Sequence, residues 1–82
     1  MSGTVKGGTP WTRQALRRMD PDHLARIEAA IPDGQHITLI VHNGRYGAWG
    51  ALMGHVRTDY GRSTPEAACW AVLNAAREAV SA

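Results

Sequence analysis

The sequence predicts a small α+β domain, with short helices on its N-terminal side, an antiparallel β-hairpin or three-stranded sheet in the middle, and a C-terminal helix packed on the sheet. Three observations lead to this prediction. Thr9-Pro10 and Thr64-Pro65 each pair a capping threonine with a proline suited to the first helical position. Apolar side chains recur at every second position from Ile37 to Val41, as in a half-buried strand. Asn43-Gly44 follows at once and is typical of a two-residue hairpin turn.

The N-terminal third of the chain is expected to be helical after a short leader. Residues 1–8 contain three glycines and little apolar surface, so we expect a flexible leader and a domain that spans residues 9–82. Apolar residues at helical spacing follow Pro10 and predict a short first helix. Asp20-Pro21 interrupts this helix and can cap a second one, which ends at the turn residues 32–34.

The strand after Asn43-Gly44 is expected to run from Arg45 to about Val56, although it contains three glycines, which weaken strand propensity. Residues 57–63 form either a loop or a short third strand. A helix is predicted from Pro65 to about Val80, because apolar side chains lie along one side of it.

Length and composition limit the classes of function. The chain has 82 residues, of which 44% are hydrophobic and 20% charged, which is typical of one globular domain. Nine Lys+Arg against seven Asp+Glu give a net charge of +2. A single cysteine allows no disulfide within the chain, and neither a signal peptide nor a membrane span is evident. We therefore expect a cytoplasmic protein that makes no membrane contact.

Catalysis and metal binding are not favoured by the residues present. His36 and His42 are separated by roughly 20 Å along a strand, too far to share one ion. There is no nucleophile-elbow motif, no phosphate-binding loop and no paired carboxylates outside loops. Cys69 lies on the apolar stripe of the C-terminal helix, where a small buried residue is the ordinary interpretation. We therefore expect no enzyme, no cofactor and no metal.

The predicted hairpin assigns each strand residue to a face of the sheet. With a two-residue turn, residues whose numbers sum to 87 lie opposite each other, whereas a three-residue turn would exchange the faces. The core face would then hold Ile37, Leu39, Val41, Tyr46, Ala48, Leu52 and Val56. The other face would hold His36, Thr38, Ile40, His42, Arg45, Trp49, Met53, His55 and Arg57.

This second face combines histidine, arginine and tryptophan, a composition enriched in recognition surfaces. The candidate protein-interaction residues are His42, Arg45, Trp49, His55 and Arg57, with Arg17 and Arg18 as secondary candidates. A more ordinary interpretation is that the N-terminal helices cover the apolar middle of this face.

Nucleic-acid binding is the main alternative function. The expected order of one helical region, antiparallel strands and a last helix is shared by double-stranded RNA-binding domains, and Gly61-Arg62-Ser63 before the last helix superficially resembles their sequence. Those domains place lysines at the start of that helix, whereas residues 64–68 contain no cation. The first two helices do carry arginines that could contact phosphates, namely Arg13, Arg17, Arg18 and Arg26.

Residues 36–80 resemble small proteins of phages and prophages described as having an ABA-sandwich domain. The matching residues are Trp49-Gly50-Ala51 and the segment Thr64-Pro65-Glu66-Ala67-Ala68-Cys69-Trp70-Ala71-Val72-Leu73. The resemblance implies a mobile-element origin, and many small phage proteins inhibit bacterial defence complexes, as anti-CRISPR proteins do. We therefore expect a protein–protein interface with a host complex, CRISPR-Cas subunits being one candidate partner. Self-association into a homo-oligomer is a third alternative.

Overall fold

A computed structural model describes residues 3–7 and 9–81, and it shows the predicted α+β fold: three helices and one four-stranded mixed sheet. In chain order the elements are β1 (Thr4–Lys6), α1 (Pro10–Arg18), α2 (Pro21–Ala30), β2 (His36–His42), β3 (Arg45–Leu52), β4 (His55–Arg62) and α3 (Pro65–Ser81). None of the described helices is long and apolar enough to cross a membrane.

The strands lie side by side in the order β1-β2-β3-β4. β1 runs parallel to β2 and reaches it through the two helices α1 and α2, while β2, β3 and β4 form an antiparallel meander. Thr38 lies opposite Trp49 and His42 opposite Arg45, so the predicted two-residue turn and its register are confirmed. Asn43 and Gly44 both have positive φ, at 50° and 72°, as this tight turn requires.

The prediction of a flexible leader is wrong for residues 4–6, which form β1; residues 1, 2 and 8 lie outside the described part of the chain. The side chain of Val5 is buried, and its backbone N–H donates to Glu28 Oε2 at 3.1 Å. The N–H of Gly3 donates to the carbonyl of Ile31 at 3.1 Å, and a Cβ atom at Gly3 would overlap Ile31 Cγ2. The glycine that suggested flexibility is therefore needed for close packing.

The prediction that the second strand continues to Val56 is also wrong. A second two-residue turn occurs at Met53 and Gly54, whose φ angles are 53° and 82°, so β3 ends at Leu52 and β4 begins at His55. Leu52 and His55 are opposite each other and share a face. Since side chains alternate along a strand, every residue after the turn lies on the face opposite to the one predicted. Residues 57–62 are consequently part of a third antiparallel strand.

All three helices pack on one side of the sheet, the side that carries Ile37, Leu39, Ala48 and Leu52. The buried residues form one continuous core, completed by Val5, Ala15, Met19, Ile27, Ile31, Ala68, Cys69, Val72, Leu73 and Ala76. The expected packing of the C-terminal helix on the sheet is thus confirmed. The interpretation in which the N-terminal helices cover the opposite face is wrong, because the apolar stripes of α1 and α2 join the same core as α3.

Two sets of polar contacts involve the helices: one caps α1 and the other joins α2 to α3. The Thr9 side chain caps α1 by accepting a hydrogen bond from the N–H of Thr12 at 3.2 Å, and the N–H of Thr9 donates in turn to Thr12 Oγ1 at 3.1 Å. On the other side of the layer, Trp70 Nε1–H of α3 donates to His23 Nε2 of α2 at 2.7 Å. This bond joins α2 to α3 and requires an unprotonated Nε2 on the histidine.

Candidate binding surface

The sheet face opposite the helices is covered by no described element of the chain, and we call it the open face. Pairing across the four strands places its side chains in rows. The rows are Thr4, His36, Ala51 and Val56; then Lys6, Thr38, Trp49 and Thr58; then Ile40, Gly47 and Tyr60; and finally His42 and Arg45. A partner approaching from this side would meet all four strands.

Large apolar side chains occupy the β3–β4 half of the open face. Trp49 is 37% exposed, Val56 57% and Tyr60 65%. Trp49 lies opposite Thr58, and Tyr60 follows two positions further along β4, so the two aromatic residues are diagonal neighbours. A cluster of exposed apolar side chains on one face is typical of a contact surface, since burying it in a complex is favourable.

Tyr60 takes its position because Gly47 has no side chain. A Cβ atom on Gly47 would lie 2.7 Å from Tyr60 Cδ1 and 2.7 Å from the carbonyl oxygen of Asp59. The β3–β4 register shifts at this point, which is the signature of a β-bulge. Next to the ring lies a shallow depression of about 270 Å³, whose lining includes Ile40, His42 and Arg45. The glycine and the irregular register thus lie at a concave part of the open face.

The charged side chains on the open face are basic, and two histidines accompany them. Lys6, His36, His42 and Arg45 lie on it, and no described carboxylate does. The nearest acidic residue along the strands, Asp59, lies on the other face opposite Ala48. Its carboxylate accepts two hydrogen bonds from Arg62, at 2.6 and 3.0 Å, and this pairing raises the pKa of Arg62. The open face is therefore complementary to an acidic surface.

Three of the predicted site residues, His42, Arg45 and Trp49, lie together on the open face as expected. His55 and Arg57 do not, because the turn at Met53-Gly54 moves them to the helix side of β4. Arg57 also donates to the carbonyl of its neighbour Val56 at 2.8 Å. The placement of His55 and Arg57 beside Trp49 was therefore wrong.

Two residues of the open face, Val56 and Tyr60, were missed by the sequence analysis. The signal that could have found them is Gly54, which marks a second two-residue turn once Met53 is allowed a positive φ. The secondary candidates Arg17 and Arg18 lie exposed on α1, on the covered side of the sheet. They belong to a different surface from Trp49.

Cys69 and the side chains that could bind a metal ion do not form a reactive site among the described residues. Cys69 is fully buried, as predicted, and burial raises the pKa of its thiol to about 12, with a further contribution from the charge of Glu66. A thiol in this state is a poor nucleophile at neutral pH, because the thiolate is the reactive form. Among the described residues, no group of three or more His, Cys, Asp or Glu side chains is arranged to hold a metal ion.

No protein-family model matches this chain, and comparisons with curated proteins and with solved structures give no significant match. The resemblance of residues 36–80 to phage ABA-sandwich proteins therefore stays a prediction.

Proposed function

We propose that this protein is a binding protein without catalytic activity, and that its open face contacts an acidic surface on a protein partner. The observation that carries the proposal is a helix-free sheet face that combines exposed aromatic residues with basic groups and contains no described carboxylate.

Energetically, the aromatic residues are the expected centre of the interface. Tryptophan and tyrosine are enriched among the residues that dominate binding energy, and they act best when surrounding groups exclude water from them. Here Trp49 is flanked across the sheet by Thr38 and Thr58, while Arg45 and His42 lie at the end next to the first turn. The basic residues would steer an acidic partner toward the aromatic centre.

The size of the molecule is compatible with such an interface. A specific complex buries about 800 Å² on each partner. This is about one sixth of the 4971 Å² accessible surface of the described structure. Two open faces of the same charge would repel each other, so a partner of opposite charge is favoured over face-to-face self-association.

For the partner we propose a protein complex of a bacterial host, in the cytoplasm, with inhibition of a defence complex as the biological outcome. A small domain needs no active site to inhibit, since occupying a surface that another molecule requires is sufficient. The implied phage origin supports this choice of target, and CRISPR-Cas subunits are one candidate class.

The test is affinity capture from a bacterial lysate treated with nuclease, using wild type and two matched tryptophan variants. Trp49→Ala removes the centre of the open face, whereas Trp11→Ala removes a tryptophan that is 70% exposed on α1. We expect Trp49→Ala to weaken capture of the partner by roughly 10-fold or more, and Trp11→Ala to leave it unchanged. Circular dichroism melts check that both variants fold.

Equal capture by wild type and Trp49→Ala would reject the open face as the interface. Recovery of defence-complex subunits would support inhibition as the function. Recovery of unrelated proteins through Trp49 would keep the binding role and reject this class of target.

A further inference from the structure

The positive charge of the chain is concentrated at its N-terminal end. Residues 1–19 contain four cations, Lys6, Arg13, Arg17 and Arg18, and no acidic residue. Residues 20–82 contain the other five Lys+Arg and all seven Asp+Glu, a net charge of −2. The excess that makes the protein basic therefore lies on β1 and α1, and such asymmetry is typical of a contact with a polyanion.

Three strips of side chains run along α1. One strip is buried and contains Thr12, Ala15 and Met19, the last at the helix end. Arg13 and Arg17, four positions apart, form a second strip that is exposed to solvent. None of the three arginines of α1 forms a salt bridge with another described residue. Their guanidinium groups are available to bidentate acceptors such as phosphate.

The third strip of α1 consists of Trp11, Gln14 and Arg18. It borders a depression of about 220 Å³ between the helix and the end of the sheet. Its lining consists of Trp11, Gln14, Ala15, Arg18, Val41 and Tyr46. Trp11 is 70% exposed, the largest exposure of any large apolar side chain in the described structure. The lining of the depression thus brings together an aromatic ring, an amide and a guanidinium group, and it includes no carboxylate.

We propose that this α1 surface binds single-stranded nucleic acid, with a base stacked on Trp11 in the depression and the neighbouring phosphates bound by Arg13, Arg17 and Arg18. Stacking on an aromatic ring requires a base that is free of a duplex, which favours a single strand. Gln14 offers both a donor and an acceptor to the edge of that base.

This site is distinct from the open face and does not depend on the function proposed for it. The middle rows of the open face carry Ile40, Trp49 and Tyr60, and its cations are peripheral: Lys6 lies on the edge strand β1 and Arg45 next to the first turn. The α1 surface instead places three arginines within nine residues around one tryptophan. The density of guanidinium groups favours phosphate at α1 and protein at the open face.

The experiment is fluorescence anisotropy with labelled oligothymidylate and oligouridylate, compared with a labelled DNA duplex, on the full chain. Three phosphate contacts to a single strand predict a roughly 20-fold loss of affinity between about 50 and 200 mM salt. Trp11→Ala should weaken binding roughly 10-fold, and Arg17→Gln with Arg18→Gln should weaken it and flatten the salt dependence. Trp49→Ala is the matched control and should bind like wild type.

Several results would overturn this proposal. One is the absence of binding to both single strands at low salt, and another is unchanged affinity in Trp11→Ala. Tighter binding to the duplex would reject a stacked base. If polyglutamate displaced the labelled strand as effectively as the oligonucleotide does, the surface would be assigned to acidic proteins. Because the variants at Trp11 and Trp49 are reciprocal controls, failure here leaves the proposal for the open face standing.

Discussion

The stability of the domain is expected to fall steeply at alkaline pH because of a single buried thiol. Cys69 is fully buried in α3, and the pKa of its thiol is raised from 9.0 to about 12. The folded state therefore favours the neutral thiol, whereas the unfolded chain releases the proton near the ordinary value. Below that value the stabilisation is fully present, and it is lost progressively as the pH rises toward the folded pKa.

The expected size follows from the same two values. Each pH unit between them costs about 1.4 kcal/mol of unfolding free energy, so moving from neutral pH to about 10.5 costs about 2 kcal/mol. A domain of this size is stable by only a few kcal/mol, so the change is large. The measurement is urea unfolding followed by circular dichroism at both pH values, for wild type and Cys69→Ala.

Cys69→Ala is the matched control, because it removes the titrating group from both the folded and the unfolded chain. The small cavity that it leaves lowers the unfolding free energy by about 1 kcal/mol, a contribution that does not depend on pH. The difference between wild type and variant should nevertheless shrink and then reverse in favour of the variant as the pH rises. A parallel loss of stability in both proteins would refute the argument. So would a Cys69 thiol that reacts with a thiol reagent as fast in the folded protein as in the protein unfolded by urea.

Two further predictions test the turn and the link between helices. Met53→Asn should raise the unfolding free energy by a few tenths of a kcal/mol in urea titrations, because asparagine tolerates a positive φ better than methionine does. A loss of stability would show that packing of the partly buried Met53 side chain against the core outweighs the gain in the turn. For the bond between His23 and Trp70, a double-mutant cycle with His23→Ala and Trp70→Phe should give a coupling of about 1 kcal/mol. Additive effects would mean that the bond contributes nothing.

The first hairpin was predictable from sequence because Asn43-Gly44 has the residues that a tight turn requires, and it fixed the register of His42, Arg45 and Trp49. The second turn was not, because methionine is an unusual residue at positive φ and Gly54 followed two other strand glycines. One missed turn reversed the face of every later strand residue. His55, Val56 and Arg57 therefore all lie on the face opposite to the predicted one, although a third strand over residues 57–63 was one of the two alternatives.

The core face of the first hairpin was predicted correctly up to Leu52. The side on which α1 and α2 pack could not be predicted, because both faces of the hairpin carry apolar residues. Ile40 and Trp49 on one face are as hydrophobic as Leu39 and Ala48 on the other. The choice depends on which set meets the stripes of α1, α2 and α3 at once, a property of packing between distant segments. β1 was not predicted for a similar reason. A three-residue strand has no measurable periodicity, and β1 is held by hydrogen bonds to the distant residues Glu28 and Gln35.

The arrangement of the two proposed surfaces restricts the kind of partner. The open face lies on one side of the sheet and α1 on the other, and the depressions on the two surfaces share Tyr46 at the end with the first turn. A protein partner on Trp49 and a single strand on Trp11 would thus lie on opposite sides of the sheet and could be bound at the same time. This geometry suits a nucleoprotein complex better than either component alone. Nuclease treatment should then weaken capture of that complex by wild type, and have no effect on capture by Trp11→Ala.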